Sequence, residues 1–304
     1  MSFLKKLAAV FVFWRMFGPE LRPSFEPNQI HPMPIGGRTV FVNGREVFIR
    51  EAGPVDGTPI VLVHGWGDAS NVIYARILPA LATEFRVIAV DNRDAGKSDA
   101  VRSSYEIADA ADDLAGVLDT LGLASVAVFG YSMGGMIVQE LAYRRPDLVG
   151  KIGLGGTAAH VSIGGSMGGA LSWLAFYVAR GVERVTRSEV SYVRTKYLER
   201  VGAIAPNEAQ HFWLQSIGRD PESYWAAGFA ARGFDSRDWV SSITAPALVV
   251  VNTKDQLVPT RAQYDLASRL MGAIVCELVG ARHEGPLTHH AEMVRAIARW
   301  ADVD

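Results

Sequence analysis

Val126-Ala127-Val128-Phe129-Gly130-Tyr131-Ser132-Met133-Gly134-Gly135-Met136 runs from an apolar β-type stretch through G-x-S-x-G into an apolar helical stretch. A strand that feeds a helix through one tight turn forces the central residue, Ser132, into a strained backbone. Gly130 and Gly134 remove the side chains that would clash there. The hydroxyl is left exposed at the carboxyl end of a strand. The following helix aims its free N–H groups and positive dipole end at the same place, where an oxyanion would develop. The chain carries its own control: Gly164-Gly165-Ser166-Met167-Gly168 also fits the pattern. Small and polar residues precede it, not a β run, so Ser166 is expected in a flexible Gly-rich loop.

Further β signals lie on both sides of Ser132. Thr39 to Val42 and Arg45 to Ile49 flank Asn43-Gly44, a strong hairpin signal. Ile60–Val63, Val87–Val90, Ala247–Val251 and Ile274–Val279 read as strands, and runs apolar throughout are buried on both faces, as in parallel sheets. Ile107, Ala111, Leu114, Leu118 and Leu121 share one helix face, and Gly122 stops that helix. Met293, Val294, Ile297, Ala298 and Trp300 mark a last helix. This alternation predicts an α/β fold, a mostly parallel, doubly wound sheet opened by a hairpin. Residues 157–241 break the rhythm. They hold no comparable strand and many aromatics, among them Trp173, Phe176, Tyr224 and Trp225. They are expected to form a helical cap inserted between core segments 37–156 and 242–304, with aromatics in the cap core or lining a pocket.

Acid and base candidates follow later strands. Asp255 comes after the Ala247–Val251 run, and His283 after the Ile274–Val279 run. A serine hydroxyl needs a base to take its proton, and a carboxylate orients that base. Parallel strands would bring all three loops to one sheet edge. His64 ends a strand beside Gly65 and is expected to shape its loop. His289 and His290 are read as exposed or capping, and His31, His160 and His211 follow no strand. In His64-Gly65-Trp66-Gly67 the glycines allow a backbone N–H, that of Trp66, to point inward beside the N–H of Met133. Two such donors make an oxyanion hole. The Trp66 ring is left open between pocket and packing.

Together these motifs resemble the α/β-hydrolase fold family over about residues 37–304. The resemblance implies a serine nucleophile Ser132 in its elbow Gly130/Gly134, the acid Asp255, the base His283, and Trp66 and Met133 N–H groups on the oxyanion. Members with aspartate at the nucleophile position, such as haloalkane dehalogenases and epoxide hydrolases, are disfavoured by Ser132. Asp91-Asn92-Arg93-Asp94-Ala95-Gly96-Lys97-Ser98 resembles the family's D-x-R-G-x-G-x-S segment, with Asp94 in place of glycine; Arg93 is read as a loop-fixing ion pair. The implied activity is hydrolysis of carboxylic esters through an acyl-enzyme, on an apolar small-molecule substrate. C–C bond hydrolysis or cofactor-free perhydrolysis on the same triad is the alternative. A non-catalytic small-molecule receptor is the alternative of another class.

Composition narrows the classes. The chain has 304 residues, 49% of them hydrophobic, and a net charge of −2. No basic stripe argues for nucleic acid, no Cys/His spacing suggests a metal, and the expected chemistry needs no cofactor. Cys276 is expected as a buried core thiol. Residues 1–36 are expected to form an apolar helix and a Pro-rich linker. The apolar run Leu7–Trp14 is far short of the ~20 residues that span a bilayer, and no small-x-small cleavage site follows it. Phe3, Leu7, Val10, Phe11, Trp14 and Phe17 share one helix face with Lys5, Lys6 and Arg15 off its centre. That face suits peripheral membrane contact through residues 3–17, or packing on the protein's own core. The expected location is cytoplasmic, with membrane association through that helix.

Overall fold

The computed structural model describes residues 23–99, 104–161 and 165–302; in the helix that opens at Gly165, side chains are described for residues 177–181 and from Thr186 onward. The N-terminal helix expected over residues 3–17 lies outside the described residues. The strands are β1 (Arg38–Val42), β2 (Arg45–Ala52), β3 (Pro59–Val63), β4 (Arg86–Val90), β5 (Val126–Tyr131), β6 (Val149–Gly155), β7 (Ala247–Asn252) and β8 (Ile274–Leu278). The helices are α1 (Ser70–Ile73), α2 (Ile77–Leu81), α3 (Ile107–Thr120), α4 (Met133–Arg144), α5 (Gly165–Arg200), α6 (Ala209–Gly218), α7 (Pro221–Gly233), α8 (Thr260–Arg269), α9 (Gly285–Thr288) and α10 (His290–Asp302).

One sheet holds the strands in the order β1-β2-β4-β3-β5-β6-β7-β8. β1 and β2 pair antiparallel and so do β2 and β4; the rest pair parallel. Asn43 and Gly44 both have positive φ, 50° and 80°, the left-handed pair that a two-residue hairpin turn needs. Alternate strand residues enter two separate cores. Val61, Val63, Val126 and Val128 pack with Leu114, Leu118, Ile137 and Leu141 on one face. Ile60, Leu62, Ala127 and Phe129 pack with Ile77, Leu81, Ile297 and Trp300 on the other. The sheet is therefore doubly wound, as the unbroken apolar runs imply.

Strand β6 departs from that apolar pattern. Its sequence Val149-Gly150-Lys151-Ile152-Gly153-Leu154-Gly155 carries no continuous apolar run. Its glycines make room for large neighbours: a Cβ at Gly153 would lie 2.6 Å from the Phe129 ring, and one at Gly155 2.8 Å from the same ring. The burial is supplied by Phe129, Tyr131 and Trp300, so no local hydrophobic signal marks the strand. At the other extreme, β8 is apolar in sequence but for Glu277, yet it is not buried on both faces. It ends the sheet, and Ile274 and Val275 are 55% and 44% exposed. Cys276 is consequently half-buried and not a core thiol; burial pushes its pKa up.

Between β6 and β7 the chain is helical. Ser166 sits in the first turn of α5, not in a loop; the Gly-rich stretch is carried into a helix that runs on to Arg200 with a break at Thr186. Ala203, Ile204 and Phe212 from this segment pack with Val72 and Leu287 from the sheet edge. The Pro-rich stretch before β1 is docked along it. Ile30 N–H donates to the Asn207 carbonyl at 2.7 Å, Gln210 N–H donates to Gln29 Oε1 at 2.9 Å, and Met33 is fully buried.

Candidate active site

Ser132 joins β5 to α4 with φ 56° and ψ −122°. Non-glycine residues rarely hold that conformation, and it stores strain. Close packing enforces it. A Cβ at Gly130 would lie 2.2 Å from the Gly134 carbonyl oxygen, and one at Gly134 2.1 Å from that of Val63. Ser132 N–H donates to the Gly155 carbonyl at 2.8 Å, which ties the turn to β6.

The three expected residues come together. His283 Nε2 lies 3.0 Å from Ser132 Oγ, and His283 Nδ1 lies 2.8 Å from Asp255 Oδ2. The Asp255 side chain is fully buried and His283 is 21% exposed, so the imidazole opens to the cleft and the carboxylate does not. Asp255 Oδ1 accepts from the N–H groups of Leu257 and Val258 at 2.9 and 3.0 Å. Oδ2 also accepts from Asn252 Nδ2 at 3.1 Å and Gln263 Nε2 at 3.2 Å. Burial alone would raise the carboxyl pKa. The bond from His283, its charge and the Asn252 and Val258 donors outweigh burial and hold it below the ordinary carboxylate value.

Asn252, Gln263 and Tyr131 were not legible as site residues. Tyr131 Oη donates to the His283 carbonyl at 2.9 Å and accepts from Asn252 Nδ2 at 2.5 Å. Gln263 is fully buried and accepts from Asn252 N–H at 2.9 Å. A polar residue ending an apolar strand, as Asn252 does, was the one available signal.

The His64–Gly67 turn passes beside the serine. A Cβ on Gly65 would sit 3.0 Å from Ser132 Cβ. Met133 is the first residue of α4, where a helix N–H has no intrahelical acceptor. His64 is fully buried and holds its loop, with Nε2 accepting from Asn92 N–H at 2.9 Å. Burial lowers its pKa and keeps it neutral against the attraction of Asp91. The Trp66 ring stacks on Tyr224 at 4.6 Å, and its Nε1 donates to the Tyr224 carbonyl at 2.6 Å. It both packs against α7 and borders the cleft. Arg93 pairs with Asp113 at 2.7 Å and Asp109 at 3.0 Å, the loop-fixing role expected. Asp94, in the glycine position, has φ 61°, the left-handed conformation that makes glycine usual there.

Two cavities of about 270 Å³ each lie at this site. Gly65, Trp66 and Met133 line one; Tyr131 and His283 line the other. Of the aromatics in the helical segment, Phe212, Tyr224 and Tyr197 border a cavity, whereas Trp225 and Phe234 are buried and Trp239 stacks on Tyr143. The Trp173 and Phe176 side chains lie outside the described ones. Among the described residues, no group of three or more His, Cys, Asp or Glu is arranged to hold a metal.

Residues 58–160 match the family model of the α/β hydrolase fold. The chain is 30% identical over 260 residues to a pimeloyl acyl-carrier-protein methyl ester esterase of Chromobacterium violaceum, covering 83% of this chain and 96% of that protein. It is 27% identical over 267 residues to a non-heme chloroperoxidase of Streptomyces lividans, covering 85% and 96%. The enol-lactonase of Burkholderia xenovorans superposes with a TM-score of 0.74 at 26% identity, over 86% of this chain and 99% of that one. This chain belongs to the α/β-hydrolase fold family, and it is a hydrolase of that fold.

Proposed function

We propose that the protein hydrolyses carboxylic esters of small molecules. Ser132 Oγ attacks the ester carbonyl while His283 Nε2 takes its proton. Asp255 fixes the His283 tautomer and offsets the imidazolium charge. N–H groups of Trp66 and Met133 receive the oxyanion. His283 then protonates the leaving alcohol, and water releases the acid by the same steps in reverse. The observation that carries this reading is the 3.0 Å contact of His283 Nε2 with a serine held at φ 56°. The methyl ester esterase relative supports an ester as the substrate class.

Residues 157–241 act in this reading as a cap over the 37–156 and 242–304 core. Val72, Leu198 and Phe212 at the cavity support an apolar stretch in the substrate. Residues 3–17 are proposed as a peripheral membrane contact of a cytoplasmic protein. Among the described residues, no helix is long and apolar enough to cross a membrane. Liposome sedimentation of the full chain beside one beginning at Pro23 tests that contact; equal sedimentation removes it.

Hydrolysis of p-nitrophenyl esters from acetate to palmitate, wild type beside Ser132→Ala, tests the function. Cleavage that disappears in the variant supports it. Absence of cleavage with fluorophosphonate labelling of Ser132 redirects the reading to C–C or peroxide chemistry on the same serine. Absence of both leaves a small-molecule receptor.

A further inference from the structure

Arg194 on α5 borders both cavities. Its guanidinium donates to Asp68 Oδ1 at 3.2 Å, the one hydrogen bond it makes among the described residues. A guanidinium offers five N–H donors, so this single bond uses little of its capacity. The side chain stays 44% exposed while Asp68 is 14% exposed. The surrounding protein would by itself lower the Arg194 pKa; Asp68, Tyr224 and Glu284 outweigh that and raise it. A second guanidinium, Arg219, borders the first cavity and lies 3.8 Å over the Tyr224 ring. The carboxylates on that cavity are Asp68 and Asp94, while Arg93 is engaged by Asp113 and Asp109. The described hydrogen bonds of Ser132, His283 and Asp255 include none to Arg194, so the hydrolytic machinery does not account for it.

We propose that Arg194 selects esters carrying a second, anionic group, a carboxylate or phosphate, which takes up the guanidinium donors that Asp68 leaves unused. This inference rests on the ester-hydrolase reading. Charge-assisted bonds in a partly enclosed cleft are stronger than in open water. Asp68 steadies the guanidinium and also competes with the incoming anion for it. The two residues therefore affect anion preference in opposite directions, which a purely structural ion pair would not do.

The test uses matched ester pairs on the full chain. One pair is p-nitrophenyl hemi-adipate and p-nitrophenyl hexanoate, with the charge on the acyl side. The other is 1-acetylglycerol 3-phosphate and 1-acetylglycerol, with the charge on the alcohol side. In at least one pair, Arg194→Gln is expected to lower the anionic-to-neutral ratio of kcat/KM about tenfold, mainly through KM. Arg194→Lys is expected to restore part of it, and Asp68→Asn to raise the ratio. The pair that responds identifies the anion and its side of the ester. An unchanged ratio in both pairs for Arg194→Gln overturns the proposal. Binding is read separately in the Ser132→Ala background. There adipate or glycerol 3-phosphate should raise Tm while Arg194 is intact, and should not once Arg194→Gln is added. A Tm shift without turnover of any ester separates failure of the hydrolase reading from failure of the anion site; absence of a shift counts against the site itself.

Discussion

The Tyr131 hydroxyl donates across 2.9 Å to the main-chain carbonyl of His283, linking the strand that leads into Ser132 to the loop that carries His283. The same oxygen accepts from Asn252, which also donates to Asp255. One buried phenol thereby joins the strand before Ser132, the loop of His283 and the loop of Asp255. Its burial raises the phenol pKa well above the ordinary value, so it remains a neutral donor.

Tyr131→Phe keeps the ring and removes that junction. Stability is expected to fall by about 1–2 kcal/mol, since Asn252 Nδ2 loses an acceptor. kcat on p-nitrophenyl esters should fall more than KM rises, because His283 is less well positioned. Denaturant melts and the rate of fluorophosphonate labelling check this. An unchanged labelling rate would show that the base loop holds without the phenol.

Gly134→Ala places a Cβ 2.1 Å from the Val63 carbonyl oxygen, a backbone atom that cannot swing away. A loss of about 3 kcal/mol or more is expected, or no folded protein. Gly36→Ala, with nothing within 4 Å, is the matched control and should melt near wild type.

In the proposed mechanism Asp255→Asn removes the charge that would steady imidazolium, and it should lower kcat by about 10⁴-fold. The pH dependence of stability has a definite sign. The folded pKa of Asp255 lies below the unfolded value of 3.8, so ionised Asp255 stabilises the fold above that value. The contribution is lost as pH falls through the folded pKa. The difference in stability between wild type and Asp255→Asn should therefore shift toward the variant in that acid window. A difference independent of pH there would contradict it.

The His211 ring lies tilted against that of His31, with centroids 4.1 Å apart, and its Nε2 lies 3.1 Å from the Asn71 amide nitrogen. Burial, with the charges of His31 and Arg50, lowers its pKa to about 4. The unfolded chain binds this proton from 6.5 downward, so stability falls with pH from 6.5 until about 4. His211→Gln keeps an acceptor for Asn71 without titrating. Its midpoint denaturant concentration should fall less than that of wild type between about pH 7 and pH 5. Equal losses would assign the acid sensitivity to other groups.

The sequence alone determined the architecture where local patterns coincide with tertiary roles. Asn43-Gly44 specifies its turn because both residues accept positive φ, and the glycines around Ser132 specify the elbow because no side chain fits there. Asp255 and His283 were legible because parallel strands send successive loops to one edge. Tertiary structure decided what depends on distant partners. Strand β6 is buried by Phe129, Tyr131 and Trp300 and so lacks an apolar run of its own. β8 is apolar but for Glu277, yet it ends the sheet, which leaves Ile274 and Val275 exposed. Tyr131, Asn252 and Gln263 are ordinary polar residues in the chain and become a network only when β5, β7 and α8 converge. The Arg194–Asp68 pair spans 126 positions of sequence, and no local pattern encodes a contact made by folding a helix back over the sheet edge.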